Sequence, residues 1–274
     1  MFELSPHGAD VFVGTGPQYP WGGLYGGQIV AQALRAATLT VEPDLEPHSI
    51  RAYFIRPGDA TEPVRYEVDR MRNGRSFSTR RVVARQAIGA ILNAESSFQR
   101  PEPAASVQSI LMPNVPAADS LEASPWTETF DRAVVPASQV HGPSRDGAGR
   151  TAVWMKVNHE LGDPAEASAQ LLHRSWLAFL SDDIPTEAVM QAHPEEAAAM
   201  GDEDRFFGAS LDHTIWFHRP LRADRWHLYD FTCQNFVGGR GLAHGHVFTA
   251  EGTHVATVAQ EVLLRDRAAK RRSS

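Results

Sequence analysis

The chain repeats itself, and that repeat limits what it can fold into more than any other feature. Tyr53-Phe54-Ile55-Arg56-Pro57 is echoed by Trp216-Phe217-His218-Arg219-Pro220, an offset of 216 − 53 = 163. Gly74-Arg75 is echoed by Gly239-Arg240, an offset of 239 − 74 = 165. A long β-type hairpin follows each pair of anchors, over residues 80–85 and 90–98 in the first half and 241–249 and 254–264 in the second. Ahead of each aromatic-Arg-Pro strand lies one helical segment, residues 27–40 and residues 164–181. In the first, Ile29, Val30, Ala31, Ala33, Leu34, Ala36 and Ala37 occupy almost the whole circumference, the mark of a buried helix. The second does the same with Ala165, Ala169, Leu172, Trp176, Phe179 and Leu180, with Pro164 near its start, where proline is tolerated. A sheet must enclose each helix, so the fold class is α+β: a long antiparallel sheet wrapped around one buried helix, twice.

Residues 1–103 form the first unit on this reading, residues 104–126 a Pro-, Ala- and Ser-rich linker, and residues 127–267 the second unit. A loop is expected at 142–149 and a disordered tail at 268–274. The hydrophobic fraction, 42% of 274 residues, is enough for a real core, in one large domain or two small ones. A net charge of −7, with cations scattered outside the tail, leaves no face for a phosphate backbone and sets nucleic acid aside as a partner. Cys233 is the only cysteine, which excludes an intrachain disulfide and fits a reducing compartment. The start of the chain lacks the pattern of a signal peptide, and no stretch has the ~20 apolar residues that span a bilayer. A cytoplasmic protein with no membrane partner is expected.

Neither a G-x-S-x-G elbow nor a Walker loop nor H-E-x-x-H occurs. Gly14, Gly16, Gly22, Gly23, Gly26 and Gly27 miss the dinucleotide spacing. They suit a loop and close packing at a helix start, or backbone N–H groups near Gly27 that face an anionic or carbonyl ligand. His244 and His246 share a strand face, but no third ligand follows from the spacing, so neither a metal nor another cofactor is expected.

Three polar residues stand in unexpected places. Gln260 shares a strand face with Ala256, Val258, Val262 and Leu264, and a buried amide without partners costs about 1–3 kcal/mol. Its counterpart in the first half is Ser96, on the face of Leu92, Ala94 and Phe98 (260 − 96 = 164). Asp182 closes the second helix against the negative end of its dipole, at a cost of about 0.3–1 kcal/mol. Ser210 starts the strand of the second anchor, and parity places Ser210, Asp212 and Thr214 on one face with His213 on the other, against an Asp212–His213 dyad. Each residue also has a plain structural reading. Gln260 could tie down neighbouring backbone, Asp182 could solvate a helix end before Pro185, and Ser210 could mark a strand start.

The run Gly26-Gly27-Gln28, His48-Ser49, Tyr53-Phe54, Arg56-Pro57-Gly58, Gly74-Arg75-Ser76-Phe77 and Thr79-Arg80-Arg81 resembles the first half of the TesB-type acyl-CoA thioesterase II family. Ser210-Leu211-Asp212-His213, Trp216-Phe217-His218-Arg219-Pro220, Trp226, Tyr229, Gly239-Arg240-Gly241 and Gln260-Glu261 continue the resemblance, which covers nearly the whole chain. It implies a tandem double hot-dog hydrolase of fatty acyl-CoA in which an Asp, a Thr or Ser, and a Gln hold the attacking water. By position in the family pattern these fall on Asp182, Ser210 and Gln260, with serine where threonine is common. The chain departs from the pattern after Asp182, with Asp183-Ile184-Pro185-Thr186 and an acidic run at 195–204 in place of a more apolar loop.

On this expectation Asp182 is the general base, while Ser210 and Gln260 orient the water. A backbone N–H such as that of Gly27 polarises the thioester carbonyl, and arginines at the mouth meet the CoA phosphates. The alternatives are a hot-dog enoyl-CoA hydratase, whose Asp-x-Asn-Pro-x-His run is missing, and a non-catalytic acyl-CoA binder or sensor. One active site per chain is expected, since Ser96 replaces the glutamine and Pro47 the serine in the first half (210 − 163 = 47). The expected partners are acyl-CoA and further copies of the chain in a homo-oligomer.

Overall fold

A computed structural model describes residues 1–19, 22–141, 149–194 and 205–267. The acidic run at 195–204, the tail at 268–274 and all of the expected 142–149 loop except Gly149 lie outside these residues.

The first half contains β1 (Leu4–Pro6), β2 (Val11–Gly14), α1 (Gly26–Thr38), β3 (Glu46–Phe54), β4 (Val64–Asn73), β5 (Phe77–Gln86) and β6 (Gly89–Gln99). The second contains β7 (Ser124–Thr127), β8 (Phe130–Val134), β9 (Arg150–Val157), α2 (Ala167–Leu180), α3 (Pro185–Gln191), β10 (Phe206–Ser210), β11 (Asp212–Phe217), β12 (His227–Val237), β13 (Arg240–Thr249) and β14 (His254–Asp266). All of the strands join one sheet in the order β1-β2-β4-β5-β6-β3-β11-β14-β13-β12-β9-β8-β7, with β10 also on β14. The order β4-β5-β6-β3 meets its mirror image β11-β14-β13-β12, so the repeat in the sequence is a pseudo-twofold in space. Its seam is the antiparallel pairing of β3 with β11, the two anchor strands, with Ile50 opposite Ile215 and Tyr53 opposite Asp212.

Both helices are enclosed, with ten of thirteen residues buried in α1 and ten of fourteen in α2. This is the tandem hot-dog architecture. The second helix begins at Ala167 rather than 164, because Asp163 accepts from the Ala165 N–H at 2.9 Å and holds an Asx turn ahead of the first helical residue. Pro185 stands at the first position of α3, a short helix that the expected loop after Asp182 did not include.

The connector does more than span the halves. Trp154 Nε1 donates to the Pro116 carbonyl at 2.9 Å, and Gln108 bonds both Gly252 O and the His254 N–H at 2.9 Å. Ala118 joins Trp154, Leu228 and Phe248 in a small second core on the outer face of the sheet. Strand β7 begins at Ser124, inside the stretch expected to be linker. No helix among the described residues is long and apolar enough to cross a membrane.

Candidate active site

Asp182 lies two residues past the end of α2, where Ser181 is the C-cap, and its side chain is buried. It meets the first turn of α1 because two glycines leave room. A Cβ on Gly26 would stand 2.6 Å from Asp182 Oδ2, and one on Gly27 would stand 2.3 Å from the Phe179 carbonyl oxygen. The C-terminus of one helix thus presses on the N-terminus of the other, and the positive end of α1 offsets the unfavourable dipole of α2 at the carboxylate. Burial pushes the Asp182 carboxyl up to about 7, opposed by hydrogen bonds from Ser210, Gln260 and the Gly27 N–H. The neighbouring Asp183 pairs with Arg132 at 3.2 Å.

Ser210 Oγ donates to Asp182 Oδ1 at 3.1 Å, and Gln260 Nε2 donates to Ser210 Oγ at 2.7 Å. Gln260 is fully buried on the inner face of β14, together with Ala256, Val258, Val262 and Leu264. Its carbonyl oxygen hydrogen-bonds His213 Nδ1, and His213 Nε2 lies 3.0 Å from Ser181 Oγ. The structure therefore brings Asp182, Ser210 and Gln260 into one connected cluster and adds His213 and Ser181.

The expectation that parity separates His213 from Ser210 is overturned. Ser210 does not start the anchor strand; it ends β10, and β11 starts at Asp212. Ser210 pairs with Val262 and Thr214 with Ala259, so 214 − 210 = 4 residues face 262 − 259 = 3 on β14. That extra residue is a bulge, and it resets the alternation so that both Ser210 and His213 reach Gln260. Asp212 turns away and accepts from the Glu261 N–H at 2.7 Å, so the expected lack of an Asp212–His213 dyad survives the loss of its parity argument.

The expected role of Gly27 meets a competing contact, since its N–H is directed to the Asp182 carboxylate. The start of α1 thus stands at the Asp182 carboxylate, with that group as its partner. A cleft of about 360 Å³ opens over Asp182 and Ser210. Leu24, Ile29, Phe54 and Phe207 give it an apolar wall, and Arg56 stands on its rim. Arg56 Nη1 also donates to the Ala90 carbonyl at 2.7 Å. His244 and His246 do lie side by side, with ring centroids 4.9 Å apart. Among the described residues no group of His, Cys, Asp and Glu is arranged to hold a metal ion.

Two family models match the chain, the acyl-CoA thioesterase N-terminal domain over residues 16–99 and the C-terminal domain over residues 104–264. The chain belongs to the TesB-type acyl-CoA thioesterase II family. It is 33% identical to acyl-CoA thioesterase 2 of Haemophilus influenzae, over 93% of this chain and 92% of that protein. Against acyl-coenzyme A thioesterase 8 of Mus musculus it is also 33% identical, over 97% of this chain and 88% of that one. The crystal structure of acyl-CoA thioesterase II TesB2 from Mycobacterium marinum superposes with a TM-score of 0.85 at 34% identity, covering 98% of both chains. A hot-dog protein of Alicyclobacillus acidocaldarius, at 20% identity and a TM-score of 0.75 over 96% of both chains, shares the fold.

Within this thioesterase the first half keeps the frame of the site and fills it. Thr40 lies two residues past the end of α1, as Asp182 does past α2. Ser96 pairs with Arg80, where Gln260 pairs with Ala243. Pro47 pairs with Phe98, where Ser210 pairs with Val262. In place of the small Ala243 the first half thus carries Arg80, 2% exposed. Its guanidinium donates to Thr40 Oγ1 at 2.7 Å, Thr40 O at 2.9 Å, Asn73 Oδ1 at 2.7 Å, Arg72 O at 2.8 Å and Thr79 O at 3.0 Å. Arg80 belongs to the Thr79-Arg80-Arg81 motif; the first anchor's offset of 163 sets it against Ala243, and the strand register gives the same match.

Proposed function

We propose that this chain hydrolyses fatty acyl-CoA to free fatty acid and CoA, through a water activated by Asp182 and oriented by Ser210 and Gln260. The observation that carries the proposal is the buried carboxylate of Asp182 and the buried amide of Gln260 joined through the half-buried Ser210 hydroxyl, with Asp182 and Ser210 lining a cleft that has an apolar wall, in a chain of the thioesterase family.

The ionised carboxylate of Asp182 accepts one proton of the water, and the second N–H of Gln260, which otherwise faces the Asp182 carboxylate, donates to the water oxygen. Attack on the thioester carbonyl forms the C–O bond and moves the carbonyl electron pair onto oxygen. The first turn of α1 faces this point, so the N–H of Gly27 is the candidate donor to that oxygen once substrate enters. Collapse breaks the C–S bond, and the proton held by Asp182 passes to the departing sulfur. No covalent enzyme intermediate forms. A carboxyl near pH 7 is matched to both transfers, because it is ionised before attack and acidic enough to return the proton.

The test is release of CoA thiol from acyl-CoAs of several chain lengths, with Asp182→Asn, Ser210→Ala and Gln260→Ala beside the parent. Release that falls in all three variants supports the reading. Saturable acyl-CoA binding without thiol release in the parent would make the chain a binder or sensor.

A further inference from the structure

We infer that His213 is a positioning residue for this hydrolysis: held by Ser181, its ring fixes which end of the Gln260 amide faces Ser210 and the attacking water. The inference rests on the reading of Asp182 as the base.

An ionised carboxylate can only accept, so across the 3.1 Å contact Ser210 Oγ must donate to Asp182. Its single hydrogen is then committed, and its oxygen accepts from Gln260 at 2.7 Å, which requires the amide nitrogen on that side. The amide oxygen therefore faces His213, and Nδ1 of the ring must carry the hydrogen. Nε2 is left with a lone pair, which accepts from Ser181 Oγ at 3.0 Å. All four bonds run in one sense, from Ser181 through His213, Gln260 and Ser210 to Asp182, and the peptide bond between 181 and 182 closes the loop.

Within this loop the glutamine is the member that could turn over without changing shape, because the two ends of its amide are nearly isosteric. Reversed, it would present oxygen to Ser210 and lose the N–H that meets the water. Ser181, His213 and Gln260 are all 0% exposed, so bulk water does not reach them to supply the missing donor. Burial holds the imidazole at about 4, which keeps the ring neutral wherever Asp182 is ionised.

The experiment compares His213→Asn, His213→Leu and Ser181→Ala with the parent and Asp182→Asn, measuring kcat, KM and the folded fraction of each. Asn can place an amide N–H near the position of Nδ1, whereas Leu fills more of the volume but donates nothing. The expected kcat of His213→Leu is lower by about 10- to 100-fold, as for partners that orient a metal ligand from behind, with KM little changed. His213→Asn should recover part of that loss despite its poorer packing. Ser181→Ala, which frees the ring to take the other tautomer, should lose kcat without a change in KM. A role in packing alone predicts the opposite ranking, Leu at or above Asn. Folded His213→Leu working at the parent rate overturns the inference, provided Asp182→Asn is inactive. Should His213→Leu fail to fold, Asn and Ser181→Ala decide it, and full parental kcat in both overturns it. If Asp182→Asn itself keeps turnover, the base assignment fails and the inference with it.

Discussion

Replacing Asp182 by asparagine separates a catalytic carboxylate from a structural acceptor. The side chain keeps its size and one oxygen for Ser210 Oγ but cannot take a proton, so kcat should fall by about 10²-fold or more, with acyl-CoA affinity nearly unchanged. Stability carries the sharper signature. A carboxyl raised from 3.8 to about 7 corresponds to a penalty on its ionised form on the order of 4 kcal/mol. The folded state holds this proton between about pH 4 and pH 7 while the unfolded state releases it, so Asp182 makes the parent less stable as pH rises through that window, by about 1.4 kcal/mol per pH unit at most. Asparagine does not titrate. Its amide nitrogen, however, cannot accept from the donors that face the carboxylate, at a cost of about 1–3 kcal/mol at every pH. The melting temperature of the variant should therefore rise relative to the parent's from pH 5 to pH 8, by about 2–4 °C for each kcal/mol the parent loses. Asp183, also raised to about 7, is common to both proteins and largely cancels. Thermal melts from pH 5 to 8, paired with thiol-release kinetics, make the comparison. Turnover near the parent's, activity lost only in step with unfolding, or melting curves that stay parallel across pH would refute the base assignment.

The acid limb of the parent kcat should rise with pH through about 7, since Asp182 works only when ionised, and a limb near 4 would show an exposed carboxylate at work instead. A non-hydrolysable acyl-CoA analogue titrated by calorimetry should saturate at one per chain, and two equal sites would contradict the filled pocket around Arg80. Arg80→Met should leave kcat per folded molecule unchanged while lowering stability by on the order of 3 kcal/mol, because the oxygens of Thr40 and Asn73 lose their donor. Denaturant unfolding and thiol release check both halves of that statement.

The repeat, the two enclosed helices and the inward face of β14 were legible because each is written in periodic apolar residues. Asp182, Ser210 and Gln260 could be singled out because each breaks such a pattern or meets a family motif. His213 was misplaced for a specific reason: alternation predicts faces only along an unbroken strand, and the bulge at Leu211 adds a residue that no local residue type announces. Arg80 was missed because an arginine at a strand position reads as surface. Only the strand register and five oxygen acceptors reveal it as interior.

Arg80 also bears on symmetry. In a twofold dimer of identical hot-dog chains every substitution occurs twice, so an arginine that fills one pocket fills both. Joining the two units in one chain removes that condition. A residue that would fill both sites of a symmetric dimer can then be placed on one side alone. The buried guanidinium then fastens the turn after α1 to β4 and β5 without touching Asp182, Ser210 or Gln260. Covalent linkage thus lets the two halves differ: one keeps Asp182, Ser210 and Gln260 together, the other need keep only the shape of the helix start it lends.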